Sequence, residues 1–335
     1  MNSGAEILTT TVQDAEISRE IEQLRAQFLT YLRDINLPPT PVALYEPLRY
    51  AIANPGKCLR PMLTICVGMA FGAPLSDLRD PALAIELLHT FSLVHDDIMD
   101  QASQRRGRET IHLKWNPNTA ILTGDALLAV AFEILLRQPS RRQAQLGYLM
   151  AQAMRQICAG QALDIEFERR ETVSPNEYLE MIRLKTGELL GLACQFGALI
   201  AGAPADSITQ MQHLGIKLGQ AFQVQDDLLE ITAEVEQMGK SLISDIQTGK
   251  KTYPVILVLE QLSPAERRQW LKELQQLGGD RQAVRQAFEQ FAVLEPTAEL
   301  AESLFAEART HLTAIPQERR PLVAQLVEMI AKRQS

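Results

Sequence analysis

Apolar residues recur at three- and four-residue intervals along nearly the whole chain, and β-branched clusters are few. That periodicity predicts helices over 14–35, 41–53, 60–71, 80–102, 117–137, 140–168, 175–187, 188–202, 207–232, 251–262, 264–277, 280–291, 296–313 and 319–332. Breaks coincide with "NLPPTP", "ANPGK", "GAPLSD", "RGRETIH", "WNPNT" and "GAPADS". In "SPNEY", Ser174 precedes Pro175 and Glu177 follows three residues on, the pattern of a capping box. No Gly/Ser-rich or Pro-rich linker divides the 335 residues. The expectation is an all-α fold, a single helical domain over 13–335 with a flexible segment at 1–12. Segments 120–136 and 188–202 are apolar around almost their whole circumference, which places them at the centre of a bundle or at a subunit interface.

A net charge of −8 argues against nucleic acid as a partner, because phosphate backbones recruit basic faces. Small anions held through metal ions stay open. Cys58, Cys66, Cys158 and Cys194 form no CxxC pair, a pattern of reduced thiols rather than a disulfide frame or a zinc site. The N-terminus lacks the basic start and apolar core of a signal peptide. The best candidate for a membrane span, Ala120 to Leu136, carries Asp125 and Glu133, so no membrane span is expected. A cytoplasmic protein follows as the expectation.

"LVHDDIMD" at 93–100 and "QVQDDLLE" at 223–230 echo one another at an offset of 130 residues. Asp96 and Asp100 share one helical face, and Asp97 is within reach of Asp100; Asp226, Asp227 and Glu230 repeat the spacing. Like charges so spaced destabilise a bare helix by a few tenths of a kcal/mol, roughly, per pair. Surface helices answer with Lys or Arg one turn away, whereas here the neighbours are Val94, Ile98, Met99, Leu228 and Leu229. Carboxylates among core residues call for a cation, and magnesium takes one or two carboxylates with waters and phosphate oxygens. An ordinary acidic patch is the alternative, weakened by the second copy.

Basic residues fit the same chemistry. Arg105 and Arg106 in "RRG" close the first acidic helix, where cations favour the C-terminal end of the dipole. "GKCLRP" puts Lys57 and Arg60 at a glycine-preceded helix start suited to phosphate. Lys185 and Thr186 come from "KTGEL", and Lys240, Lys250 and Lys251 from "GKSLISDIQTGKKTYP". Gln223 lies three residues before Asp226 and His89 seven before Asp96, so each shares a face with its aspartate.

These motifs, with "ELLHTFSLVHDDIMDQASQRRG", "AILTGDALLA" and "GQAFQVQDDLLE", stand in an order that resembles the trans-isoprenyl diphosphate synthases of the polyprenyl synthetase family over residues 40–333. The resemblance implies a single-domain bundle of long helices around a central cavity, with two acidic helices facing each other at its mouth, and a homodimer. It implies head-to-tail condensation of isopentenyl diphosphate with an allylic diphosphate through a magnesium-assisted carbocation. Carried over by residue, Asp96 and Asp100 bind two Mg2+ ions and Asp226 a third, with Asp97 and Asp227 as supporting ligands. Lys57, Arg60, His89 and Arg106 bind isopentenyl diphosphate; Arg105, Lys185, Lys240 and Lys250 hold the allylic diphosphate; Thr186 and Gln223 face the carbocation. Glu230 departs from the family's usual aspartate. His95 is read as structural.

Family members set product length with residues just before the first acidic motif. Phe91 at the fifth position, Ser92 at the fourth and an uninserted DDxxD resemble archaeal geranylgeranyl (C20) diphosphate synthases, with C15 or C25 as the alternatives. On an ideal wheel Ser92 lies near the face of Asp96 but Phe91 points well away from it. A noncatalytic partner subunit would be expected to lose acidic or diphosphate-binding residues. A class I terpene cyclase would not be expected to carry "GKCLRP", "RRG" and a second aspartate-rich motif together.

Overall fold

The computed structural model describes residues 3–137, 142–233, 249–277 and 280–332, with side chains from residue 14 onward. Helices α1 (Ser3–Arg33), α2 (Val42–Ile52), α3 (Leu59–Ala70) and α4 (Leu75–Met99) lead into a hairpin of β1 (Gln104–Arg105) and β2 (Arg108–Glu109). After a short α5 (Ile111–Lys114) come α6 (Pro117–Leu136), α7 (Gln143–Arg169), α8 (Pro175–Ile182), a π-helical turn (Arg183–Gly187), α9 (Glu188–Ile200) and α10 (Ala205–Thr232). Helices α11 (Tyr253–Gln261), α12 (Pro264–Gln276), α13 (Arg281–Glu289), α14 (Leu294–Thr310) and α15 (Arg320–Ala331) complete the order, with a 3-10 turn at His311–Ala314. The all-α expectation holds: among the described residues, this one hairpin is the only sheet.

Two compact units are formed. The first comprises Met1–Met150, Leu192–Gln212 and Leu312–Ile330. Its centre is α4, which packs on α3 and α6. Burial follows the helical stripe: on α6, Ala120, Thr123, Gly124, Leu127, Ala131, Ile134 and Leu135 are buried. Ile121, Leu122 and Leu136 on the same helix are exposed, so α6 is more apolar than its packing in this unit requires. By length and composition α6 is the one helix, among the described residues, long and apolar enough to cross a membrane, a test that buried core helices also pass. Its contacts with α4, α2 and α5 are those of a core helix.

The second unit comprises Ala151–Gly191, His213–His311 and Ala331–Ser335. One core in it joins Ile231 of α10, Val255, Val258 and Leu259 of α11, Trp270 and Leu274 of α12, and Val284 and Phe288 of α13. Trp270 meets Phe288 edge-on at 5.5 Å. Helices α8 and α12 each open with a complete capping box, Ser174 with Glu177 and Ser263 with Glu266.

Several boundaries differ from the sequence expectation. Helix α1 begins at Ser3 rather than 14. Helix α4 begins at Leu75, because Asp77 N–H already closes a turn on the Pro74 carbonyl at 3.1 Å, and it ends at Met99. Residues 103–110 form a hairpin where only a break was expected, and the helix expected over 175–187 changes to π winding at Arg183. Phe288 is fully buried, so Phe288→Ala should lower unfolding free energy by about 3–5 kcal/mol. Urea unfolding followed by tryptophan fluorescence reads this directly, and an unchanged midpoint would contradict the α11–α13 core.

Candidate active site

At the C-terminal end of α4 the two acidic motif faces separate. Asp96 and Asp100 are half-buried, and Asp100 caps the helix with its N–H on the Asp96 carbonyl at 2.8 Å. Asp97 is only 6 % exposed and accepts from Arg105 Nε at 2.9 Å and Nη2 at 2.5 Å. In this structure Asp97 anchors Arg105, a charge-assisted contact held away from water. The arginines are also not at the helix dipole: α4 has ended, and they lie on the hairpin. Gln104 pairs with Glu109 and Arg105 with Arg108, leaving Arg106 and Gly107 as the two-residue turn, with φ of 53° and 72°.

That left-handed turn folds Arg106 back onto the loop before α3. Its Nη1 donates to the Asn54 carbonyl at 2.5 Å, and Asn54 Nδ2 returns a bond to the Arg106 carbonyl at 3.2 Å. The guanidinium covers Gly56, where a Cβ would lie 2.8 Å from Cζ. Arg25 of α1 holds the same loop, donating to the carbonyls of Gly56 at 3.1 Å and Lys57 at 3.2 Å. Arg60, in the first turn of α3, donates from Nη1 to His89 Nε2 at 3.0 Å. A guanidinium can only donate, so His89 carries its proton on Nδ1. Burial, then Arg60, Arg106 and Arg105, hold His89 well below the ordinary imidazole range and keep it neutral.

Beneath these cations lies Glu86, 1 % exposed, its carboxyl pushed up to about 7 by burial, with Arg106 and Arg60 opposing the shift. The Cys58 thiol is raised to about 12, chiefly by burial, which removes it as a nucleophile. Lys57 is exposed at the rim. Of the four residues expected to bind isopentenyl diphosphate, Arg60 and His89 are in direct contact, with Arg106 close enough to perturb both Glu86 and His89.

In the second unit, α10 repeats the disposition of α4. Asp226 and Glu230 are half-buried, whereas Asp227 is 4 % exposed. Asp227 accepts from Tyr178 Oη, from Tyr253 N–H at 2.9 Å and from Gln223 Nε2 at 3.2 Å. Like Asp97, it is anchored by donors of the protein. Gln223 Oε1 in turn accepts from Thr186 Oγ1 at 3.3 Å.

Lys185 and Thr186 sit in the π turn, where Glu188 N–H reaches back five residues to the Arg183 carbonyl. Two neighbours hold this rare winding. Lys185 Nζ pairs with Asp164 of α7. Gly160 of α7 lets the backbones meet, since a Cβ there would lie 2.4 Å from Lys185 N. Lys250 is half-buried, and Lys251 is buried with Nζ donating to the Gly249 carbonyl at 3.3 Å. Lys240 lies outside the described residues.

The polyprenyl synthetase family model matches residues 41–291. The chain belongs to the polyprenyl synthetase family. That match runs without interruption through stretches of both units. This polyprenyl synthetase is 41 % identical over 235 residues to geranylgeranyl diphosphate synthase of Sulfolobus acidocaldarius, covering 69 % of this chain and 71 % of the relative. It is 34 % identical over 300 residues to short chain isoprenyl diphosphate synthase of Methanothermobacter thermautotrophicus, covering 88 % and 92 %. The crystal structure of geranylgeranyl pyrophosphate synthetase from Pyrococcus horikoshii Ot3 superposes with a TM-score of 0.85 at 32 % identity, covering 97 % of this chain and 100 % of that one.

Magnesium suits the donors that remain. Among the described residues no group of three His, Cys, Asp or Glu gathers into a ready-made cage. The half-buried pair Asp96 and Asp100 offers instead the one or two carboxylates that this ion takes when phosphate and water fill its other positions. Sequence reading missed Asp164, Tyr178, Glu86, Asn54 and Arg25. Each is ordinary in its local pattern and acquires its role from a partner distant in sequence.

Glu86 gives this polyprenyl synthetase a testable pH dependence. Its carboxyl titrates at about 7 in the fold against the ordinary 4.5, so between these values only the folded state keeps the proton. Stability contributed by the neutral form is present below 4.5 and is lost as pH rises toward 7. Relative to Glu86→Gln, the wild type should lose about 3 kcal/mol between pH 5 and pH 8, read by urea unfolding of both proteins. Parallel pH curves for the two would contradict the buried, neutral Glu86.

Proposed function

We propose that this polyprenyl synthetase condenses isopentenyl diphosphate head-to-tail with an allylic diphosphate and that its main product is geranylgeranyl diphosphate (C20). The observation that carries the reading is the recurrence of one device in both units: a half-buried aspartate beside a buried one bound by donors of the protein. An allylic diphosphate ionises only if the departing charge is met, and a second diphosphate needs cations of its own.

Asp96 and Asp100 would hold two magnesium ions and Asp226 a third, with Asp97 and Asp227 supporting them directly or through water. When bound, magnesium supplies the positive charge that stabilises the departing diphosphate. Arg105, oriented by Asp97, and Lys185, oriented by Asp164, hold the allylic diphosphate together with Lys240 and Lys250. Lys57, Arg60 and Arg106 bind isopentenyl diphosphate, and neutral His89 keeps the Arg60 guanidinium in place. The Thr186 hydroxyl donates its hydrogen bond to Gln223 Oε1, which leaves its lone pairs to face the allylic cation. No nucleophilic side chain is required, in keeping with the raised thiol of Cys58.

Phe91 is buried five residues before Asp96, and Ser92 Oγ donates to the His89 carbonyl at 2.9 Å, which supports a product ceiling near C20. The exposed Ile121, Leu122 and Leu136 of α6, with Tyr148 of α7, support a homodimer seated on this apolar face. Cys58, Cys66 and Cys194 are buried thiols, which supports a cytoplasmic location.

Purified protein with Mg2+, labelled isopentenyl diphosphate and geranyl or farnesyl diphosphate should yield mainly C20 diphosphate by chromatography. Asp96→Asn should lower kcat by roughly 10²–10³-fold with the fold retained. Failure to elongate any allylic primer would sink the proposal.

A further inference from the structure

The motif "AILTGDALLA" has no role in the chemistry above, yet it meets the first acidic helix directly. Phe91 and His95 are one turn apart on α4, and their rings meet edge-on, with centroids 4.8 Å apart and planes inclined by 63°. The His95 ring is held from α6. Its Nε2 lies 3.2 Å from the Ile121 carbonyl, and a carbonyl only accepts, so Nε2 carries the proton. Asp125 Oδ1 stands 4.0 Å from the same nitrogen.

Room for the ring comes from Gly124. A Cβ at that position would lie 2.1 Å from Nε2 and 2.4 Å from Cδ2, so no other residue could sit there with His95 unmoved. The glycine supplies space, Ile121 an acceptor and Asp125 a nearby negative charge. Together they make a socket that fixes the imidazole, and the imidazole presents its ring to Phe91. This also explains why Phe91 points away from the Asp96 face: it turns toward the side of α4 covered by α6.

We propose that His95, seated in the Gly124 socket, is a positioning residue for product length, holding the Phe91 ring in the orientation that stops the growing chain. This rests on the reading of Phe91 as the chain-length residue. Removing the ring edge opens other rotamers to Phe91. An edge-to-face contact shifts such orientations by roughly 2- to 10-fold, which sets the scale of the effect on product ratio.

The test uses full-length protein with Mg2+, farnesyl diphosphate and labelled isopentenyl diphosphate. The readout is the ratio of products longer than C20 to C20. Slower turnover beside Asp96 would favour release of C20 over further elongation and so lower this ratio, the opposite of the change expected here. His95→Ala should raise the ratio about threefold or more. The double variant Phe91→Ala with His95→Ala should match Phe91→Ala alone, since His95 acts only through that ring. Gly124→Ala, which pushes His95 from its socket, should move the ratio as His95→Ala does. It carries the test if His95→Ala does not fold, and His95→Gln, which keeps a donor but no ring, carries it if neither does.

A wild-type ratio in these socket variants, while Phe91→Ala shifts it, overturns the inference and leaves the chain-length reading standing. A double variant that exceeds Phe91→Ala by the full His95→Ala factor overturns it too. An unchanged ratio in Phe91→Ala removes the chain-length reading itself, and with it this inference.

Discussion

A carboxylate buried in a helical protein must be answered by donors of that protein, and that requirement organises both acidic motifs. Asp97 is answered by Arg105, and Asp227 by Tyr178, Tyr253 and Gln223. Desolvating either charge without such partners would cost several kcal/mol, roughly, so the pairs fix the helix rotation. Only with the second aspartate of each motif turned inward do Asp96 and Asp226 take their half-buried positions. The residues that meet solvent are thus set by those that do not.

The cationic groups are ordered by equally specific means. Arg106 depends on a two-residue turn with both φ angles positive and on an exchange of hydrogen bonds with Asn54. Arg60 rests against a histidine that burial keeps neutral, so two cations need not become three. Lys185 is tied to Asp164. In each case a long, flexible side chain is held in one orientation by a specific partner.

Most of the fold was legible in the sequence because proline, glycine and capping residues punctuate a helical period. The acidic motifs stood out for a related reason: carboxylates on apolar helices need partners, and their spacing recurs at 93–100 and 223–230. Three things were not. The hairpin has two residues per strand, too few for any alternation to register. The π winding leaves no mark in "RLKTG", since its cause is the close approach of α7 at Gly160. The inward roles of Asp97 and Asp227 were hidden because both aspartates of a pair look alike until burial distinguishes them.

The π turn places local stability and site geometry in opposition. Its five-residue hydrogen bond accommodates one residue more than α winding would. Loss of a single residue there would let α8 run on into α9 as regular helix, with better-formed bonds. It would also rotate whatever remained of the segment by about 100°, carrying the lysine away from Asp164. A shorter, more regular chain would thus be the better helix and would give up the pairing of Lys185 with Asp164.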